Sequence, residues 1–297
     1  MNPARRLKSN QLTGILTALV FSCLALNALP ARAGQPSRIA VIGGSLTEII
    51  YALGEEDRMI ARDSTSVYPE AAKDLPDVGY IRQLSPEGVL SVNPDLILAL
   101  EGFGPPEAAK VISQAGIPVV VIPDGYESTS ILAKIHATAK ALGREQAGAE
   151  LAEKVAADLA AAKAVASGRK DKRRVLFLLS VQGGRLMASG SQTHADGIIA
   201  LAGGVNALSG FDGYKEVSHE AVIEAAPDLI LRMRGGRDAS SDAEVLAHPT
   251  IAATPAGKHG KVIGMDGLFI LGYGPRTAQA ARELSEALYK SSPASGD

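Results

Sequence analysis

The sequence predicts an α/β fold of two doubly wound lobes, each with a central, mainly parallel sheet, joined by a single long α-helix with a ligand cleft between the lobes. Three observations predict this fold. A fourteen-residue element occurs twice, short apolar runs alternate with helical segments, and one long helical segment lies midway along the chain. Two similar lobes leave a cleft in which a ligand can bind.

The repeated element spans residues 85–98 and returns 133 positions later at residues 218–231, with eight of fourteen residues identical. Each copy is typical of a short helix capped by its first serine, followed by Pro-Asp and an apolar run that suits a buried parallel strand. A Gly-Tyr pair precedes each copy and contains Tyr80 or Tyr214. The period exceeds the roughly 20–50 residues of solenoid repeats, so the repetition indicates two lobes.

Residues 1–33 are typical of a cleaved export signal. Basic residues near the N-terminus precede an apolar stretch at residues 12–29, and Ala-Arg-Ala at residues 31–33 forms a cleavage site. A membrane anchor is the alternative, which the polar interruptions and Pro30 disfavour. A second alternative is a lipoprotein signal that ends at Cys23. The export signal predicts a periplasmic protein.

Composition excludes several classes of function. Cys23 is the only cysteine, so the mature chain has neither a disulfide nor a catalytic thiol. The net charge of −2 becomes more negative after cleavage, because the signal carries four basic residues and no acidic ones. Without a basic stripe, nucleic acid is not an expected partner. The chain also lacks a G-x-S-x-G elbow and a phosphate-binding loop, so an enzyme is not expected.

Residues 34–142 are expected to form the N-terminal lobe. A capping box at Ser45 is expected to open its first helix. The predicted elements in order are a strand at 38–42, a helix at 45–53, a strand at 59–61, the repeated helix from 85, a strand at 95–100, a helix at 105–114, a strand at 117–122 and a helix at 128–142.

Residues 143–168 are expected to form the joining helix, and residues 169–297 the C-terminal lobe. The segment 144–166 is rich in Ala, Glu and Lys and lacks linker composition, so it is expected to restrict the lobes to a small relative tilt. The predicted elements of the second lobe are a strand at 174–179, a helix at 193–201, the repeated helix and strand, a strand at 261–264 and a helix at 277–289, with a disordered tail after residue 291.

These features together resemble the periplasmic substrate-binding proteins of the helix-bridged class, which serve ABC importers of haem, cobalamin and iron–siderophores. Four segments resemble the haem-binding branch of that class, at residues 79–88, 187–191, 202–206 and 265–276. The resemblance covers the whole mature chain. It implies a non-catalytic carrier that binds ferric haem as its transported ligand and delivers it to an ABC permease dimer, with an outer-membrane haem receptor as a candidate source upstream.

The resemblance implies that Tyr80 is the axial ligand of ferric haem. A phenolate is a hard oxygen donor that suits Fe(III), and tyrosine is a known haem ligand. A free phenol has a pKa of about 10, so bound iron must favour the anion, and Arg82 is expected to add a charge-assisted hydrogen bond. The alternative is a loop tyrosine that packs on its lobe, with Arg82 on the surface.

Two residues of the second lobe are further candidates for contact with the haem. Tyr214 occupies the place equivalent to Tyr80, although Lys215 stands where the first copy has Ile81 and Arg82. His194 begins a helix that is expected to face the cleft, and imidazole is a ready iron ligand. The alternative for His194 is a capping-region histidine bonded to backbone.

Arginines and aromatic residues of the second lobe are candidates for binding the rest of the haem. Arg234 and Arg237 follow the repeated strand, where the carboxyl ends of parallel strands line a crevice, and they suit the propionates. A solvated basic loop is the alternative. Phe269 and Tyr273 lie in a glycine-rich segment and are expected to cover the porphyrin edge.

Glu87 and Glu220 occupy one position in the two repeats. Relatives use glutamates here to pair with arginines of the permease dimer, which implies a docking role, whereas helix capping explains either residue alone. The same fold carrying an iron–siderophore or cobalamin is the nearest alternative function. A haem-sensing or adhesive module would need an extra domain, and the sequence shows none.

Overall fold

A computed structural model of the chain describes residues 35–234 and 240–289. It confirms the predicted α/β class, with two sheets and helices packed on them. The predicted export signal, Cys23 and the tail after residue 291 lie outside the described residues. From Pro36 onward the described residues form one compact unit, so the lobe boundaries at 34–142 and 169–297 remain a prediction. Of the helices described, none has both the length and the apolar character needed to span a membrane.

The first sheet has four parallel strands in the order β2-β1-β3-β4. Its strands are β1 (Ile39–Ile42), β2 (Met59–Arg62), β3 (Leu96–Leu100) and β4 (Val119–Ile122). Its helices are α1 (Gly44–Ala52), α2 (Pro86–Ser91), α3 (Pro106–Ser113) and α4 (Ser128–Leu142), with 3₁₀ turns at Glu56–Arg58 and Glu70–Asp74. The central strand β1 is fully buried, as its apolar sequence requires. We call this sheet with its helices the N-terminal lobe.

Helix α5 (Glu145–Ser167) has 23 residues and follows α4 directly. It packs closely on α4, because a Cβ added at Gly148 would lie 2.2 Å from the Cβ of Ala139. Its buried face includes Val155 and Leu159, which belong to a core that extends into the second sheet. The helix is therefore packed against α4 and against the core of the second sheet, and its role as the joining helix remains a prediction.

The second sheet is mixed, with the order β10-β9-β5-β6-β8 and β7 paired with β5. Strands β10, β9, β5 and β7 are parallel, whereas β6 and β8 add two antiparallel pairings. Its strands are β5 (Arg174–Gln182), β6 (Arg185–Ser189), β7 (Val205–Asn206), β8 (Tyr214–Val217), β9 (Leu229–Arg234) and β10 (Val262–Asp266). Its helices are α6 (His194–Leu201), α7 (His219–Ala225), α8 (Asp242–Ala247), α9 (Pro249–Ala252), α10 (Pro255–Lys258), α11 (Gly267–Leu271) and α12 (Thr277–Tyr289). We call this sheet with its helices from α6 onward the C-terminal lobe.

The repeated element makes the same contacts in both lobes. Ser85 and Ser218 cap α2 and α7, each accepting a backbone N–H three residues on. The aspartate of each Pro-Asp pair accepts the backbone N–H of the arginine that precedes or begins the first strand, Arg38 in one lobe and Arg174 in the other. Each arginine side chain also donates to carbonyls at the end of the repeated helix. The two copies of the repeated element therefore form the same local structure.

The predicted capping box at Ser45 is wrong. Gly43, with φ of 132°, is the N-cap of α1 and has no side chain with which to cap it; Oγ1 of Thr65 accepts the N–H of Gly44 instead. Ser45 lies inside the first turn, where it is buried. A Cβ at the neighbouring Gly44 would lie 2.5 Å from Cδ1 of Leu268, so this turn is packed against the C-terminal lobe.

Candidate functional site at the junction of the two lobes

Four tyrosines are exposed, three of them in loops of the N-terminal lobe and one at the start of β8. Tyr68, Tyr80, Tyr126 and Tyr214 are 44%, 45%, 46% and 38% exposed. Tyr68 and Tyr80 lie in the segment after β2, and Tyr126 follows β4, so these three lie beyond the carboxyl ends of parallel strands, where ligands bind in open α/β sheets. Among the described residues, these four tyrosines are the only large aromatic side chains that are exposed.

Tyr80 combines a fixed backbone with an exposed phenol. Gly79 before it has φ of 108°, a conformation that glycine adopts without strain. The Tyr80 carbonyl accepts the N–H of Gln83 at 2.7 Å, and the following Ile81 is in the core. The turn therefore presents the phenol outward from an ordered segment.

Arg82 lies near the junction, and its hydrogen bond in the structure goes to the carbonyl of Gly102 at 3.3 Å. Burial raises the pKa of Tyr214, hydrogen bonds from Thr193 and Ala195 oppose this rise, and the charge of Arg82 also lowers that pKa. The predicted bond from Arg82 to the Tyr80 phenolate remains a prediction.

Tyr214 begins β8, opposite Ser189 of β6. Its ring contacts that of Phe177 edge-on, with 6.2 Å between the centroids. Tyr214 thus lies at the edge of the second sheet beside Phe177, and its contact with a ligand remains a prediction.

His194 is held by residues of both lobes. Its Nε2 lies 3.4 Å from Oδ1 of Asp124 in the N-terminal lobe. Its ring packs between Tyr126, at 5.3 Å between centroids, and Tyr273, at 4.7 Å. His194 therefore bonds a carboxylate rather than backbone, and iron ligation by this residue remains a prediction.

Asp124 and Lys134 form a buried ion pair that the sequence did not indicate. Nζ of Lys134 lies 2.7 Å from Oδ1 of Asp124, and the lysine side chain is fully buried. Burial would raise the pKa of Asp124, but the hydrogen bond from His194 and the charge of Lys134 hold it well below its usual range. Burial lowers the pKa of Lys134, against the opposing charge of Asp124. Nζ also donates to the carbonyl of Tyr273 at 3.2 Å, which ties the lobes together.

A second connection between the lobes joins Glu48 of α1 to Arg276. The guanidinium donates two hydrogen bonds to the buried carboxylate, at 2.6 and 3.0 Å. Burial raises the pKa of Glu48, and the bond with Arg276 opposes this rise. The guanidinium also lies over the rings of Tyr68, at 3.4 Å, and Phe269, at 5.0 Å. These three side chains line a cavity of about 390 Å³ between the lobes.

The remaining residues predicted to contact haem lie in different parts of the structure. Phe269 lines the cavity just described. Tyr273 is fully buried behind His194, and burial raises the pKa of its phenol. Arg234 ends β9 with an exposed side chain whose stem lies beside Gly264 of β10. Arg237 lies outside the described residues.

Glu87 and Glu220 occupy matching exposed positions in the first turns of α2 and α7. A hydrogen bond from Ser85 and one from the backbone lower the pKa of Glu87. A backbone hydrogen bond and one from Ser218 likewise lower the pKa of Glu220. Each lobe thus presents one carboxylate, ionised at neutral pH, from the same structural position.

Comparison with known proteins gives consistent matches. Residues 39–267 match the sequence profile described as periplasmic binding protein. The solved periplasmic haem-binding protein RhuT from Roseiflexus sp. RS-1, in apo form, is 40% identical, with a TM-score of 0.82 over 86% of this chain and 98% of that one. The periplasmic haem-binding protein BhuT in complex with two haems is also 40% identical, with a TM-score of 0.81 over the same shares. A vitamin B12-binding protein of Vibrio campbellii is 27% identical over 68% of this chain and 72% of its own.

Proposed function

Because the chain belongs to the periplasmic binding protein family, we propose that it is a haem carrier. In this proposal the cleft between the lobes binds ferric haem through the phenolate of Tyr80, and the loaded protein delivers the haem to an ABC permease. The family is one of substrate-binding proteins rather than an enzyme class. The family name supports a periplasmic location for the mature protein, which the export signal proposed for residues 1–33 also favours.

The exposed phenol of Tyr80 is the observation that supports this proposal most strongly. It projects from an ordered turn in the segment between β2 and α2. Ferric iron favours a hard anionic oxygen ligand. Arg82, two residues on, supplies a positive charge close to the site, which favours the phenolate form. Tyr214 and Phe269 offer aromatic contacts from the facing lobe, and Arg234 offers a cation for a propionate.

Cobalamin transport is the second candidate, and the 27% identity to a vitamin B12-binding protein favours it. The relatives that bind haem are more similar, at 40% identity. Cyanocobalamin brings axial ligands to its cobalt and does not need a phenol from the protein, whereas the iron of haem takes its axial ligand from a protein side chain. The tyrosine at position 80 therefore favours haem.

Delivery to the importer is proposed to use Glu87 and Glu220. One exposed, ionised carboxylate on each lobe suits a pair of basic pockets related by the twofold axis of a permease dimer. The packed helix α5, proposed as the connection between the lobes, keeps the distance between the two carboxylates nearly constant.

Parallel titrations of the purified mature chain with ferric haem and with cyanocobalamin test the proposed ligand. We expect a saturable change in the Soret band with haem and no saturable change with cobalamin. Saturable binding of cobalamin alone would replace the haem proposal with the second candidate.

A further inference from the structure

Tyr126 has a rigid backbone but a side chain that the fold leaves open. Oγ of Ser130 donates to the carbonyl of Gly125 at 2.8 Å, which fixes the start of the turn into α4. The carbonyl of Tyr126 packs on α6 of the other lobe so closely that a Cβ at Gly197 would lie 2.3 Å from it. The side chain nevertheless stays 46% exposed. A tightly held backbone with an exposed aromatic ring is a preorganised binding element.

The ring of Tyr126 belongs to an aromatic surface built from both lobes. It meets His194 edge-on, with an angle of 70° between the ring planes. His194 is in turn held by Asp124 and backed by the buried Tyr273. Tyr214 lies close by, because its strand β8 pairs with Ser189 of β6, and the hydroxyl of Ser189 lies 2.6 Å from that of Thr193, the residue before His194. Tyr126, His194 and Tyr214 thus form one cluster at the junction, which we call the junction cluster.

We propose that Tyr126 is a ligand-contacting residue that packs against the porphyrin at the junction cluster. This inference rests on the proposed haem function and adds a contact that the repeat does not predict, because Tyr126 lies outside the fourteen-residue element and Leu268 follows the corresponding Asp-Gly pair at the end of β10. A planar, largely apolar ligand covers an exposed aromatic ring well, and the contact needs the ring rather than the hydroxyl.

The test compares the affinity of ferric haem for wild type, Tyr126→Ala, Tyr126→Phe and the control Val121→Ala, which truncates another exposed side chain on the preceding strand. We expect the Kd to rise about threefold to tenfold in the alanine variant and to stay within about twofold in the other two. The Soret maximum should not move in any variant, because Tyr80 is intact.

Chemical nitration of wild type provides a second measurement that does not depend on the folding of a variant. Bound haem is expected to protect Tyr126 from nitration, as judged by peptide mass spectrometry, while Tyr51 on α1 keeps its rate. Unchanged affinity in Tyr126→Ala, or unchanged nitration of Tyr126, would overturn the inference. Absence of haem binding by wild type would instead overturn the proposed function, so the two failures are distinguishable.

Discussion

Replacing Lys134 by methionine is expected to destabilise the protein by about 3 kcal/mol. The lysine side chain is fully buried, and its Nζ lies 2.7 Å from Asp124 and within hydrogen-bonding distance of Ser45 and the carbonyl of Tyr273. Removing one partner of a buried ion pair leaves an uncompensated charge and costs about 3–5 kcal/mol. We expect the lower end of this range because the Asp124 side chain is 16% exposed and remains in contact with His194.

Urea unfolding of the mature chain, followed by far-UV circular dichroism, measures this loss. Lys140→Met is the matched control, because Lys140 is exposed on the same helix and its replacement should change stability by less than about 0.5 kcal/mol. Adding Asp124→Asn to Lys134→Met should recover part of the loss, since it removes the unpaired charge. A loss below about 1 kcal/mol for Lys134→Met would refute the argument from burial.

The same pair predicts a dependence of stability on pH. The folded pKa of Asp124 lies below its unfolded value of about 3.9. Its stabilising contribution is therefore complete above that value and is lost as the pH falls towards the folded pKa. The difference in unfolding free energy between wild type and Asp124→Asn should shrink from about pH 5 to about pH 3. A difference independent of pH would show that the charge of Asp124 is not involved.

Two further predictions concern packing and docking. Gly197→Ala should destabilise the protein by about 1–3 kcal/mol, because the added Cβ would lie 2.0 Å from the hydroxyl of Tyr273. Gly210→Ala is the control, since no heavy atom lies within 4 Å of its added Cβ. Equal unfolding free energies for the two variants would contradict this account. Reversing the charge of both Glu87 and Glu220 to lysine should abolish haem delivery to a reconstituted importer while leaving the Kd for haem unchanged, and loss of haem binding would contradict the docking role.

The sequence predicted elements well where local pattern and packing agree. Helix α12 has the bounds expected from its amphipathic pattern, and the serine caps of α2 and α7 follow from the repeat. Strand β8 was missed because Tyr-Lys-Glu-Val has three exposed positions and lies at a sheet edge. The cap of α1 was misassigned because Gly43 adopts a conformation that no side-chain pattern reveals.

The candidate site was predictable only in part. The role of Tyr80 was inferred from the family resemblance and that of Tyr214 from its equivalent position in the repeat, and both roles remain predictions. The group formed by Asp124, Lys134 and His194 could not, because its members come from different elements and meet only when the lobes pack together. The position of Asp124 just beyond the carboxyl end of β4 is the one local feature that could have indicated it.

The visible spectrum of the ferric haem complex of Tyr80→Phe, measured beside wild type and Tyr51→Phe, tests the central claim most directly. The control removes a hydroxyl from α1 and leaves the proposed ligand intact. We expect wild type and Tyr51→Phe to show a phenolate-to-iron charge-transfer band, and Tyr80→Phe to lose that band and bind haem more weakly. A Tyr80→Phe complex that kept the band and the affinity of wild type would contradict the assignment of Tyr80 as the iron ligand.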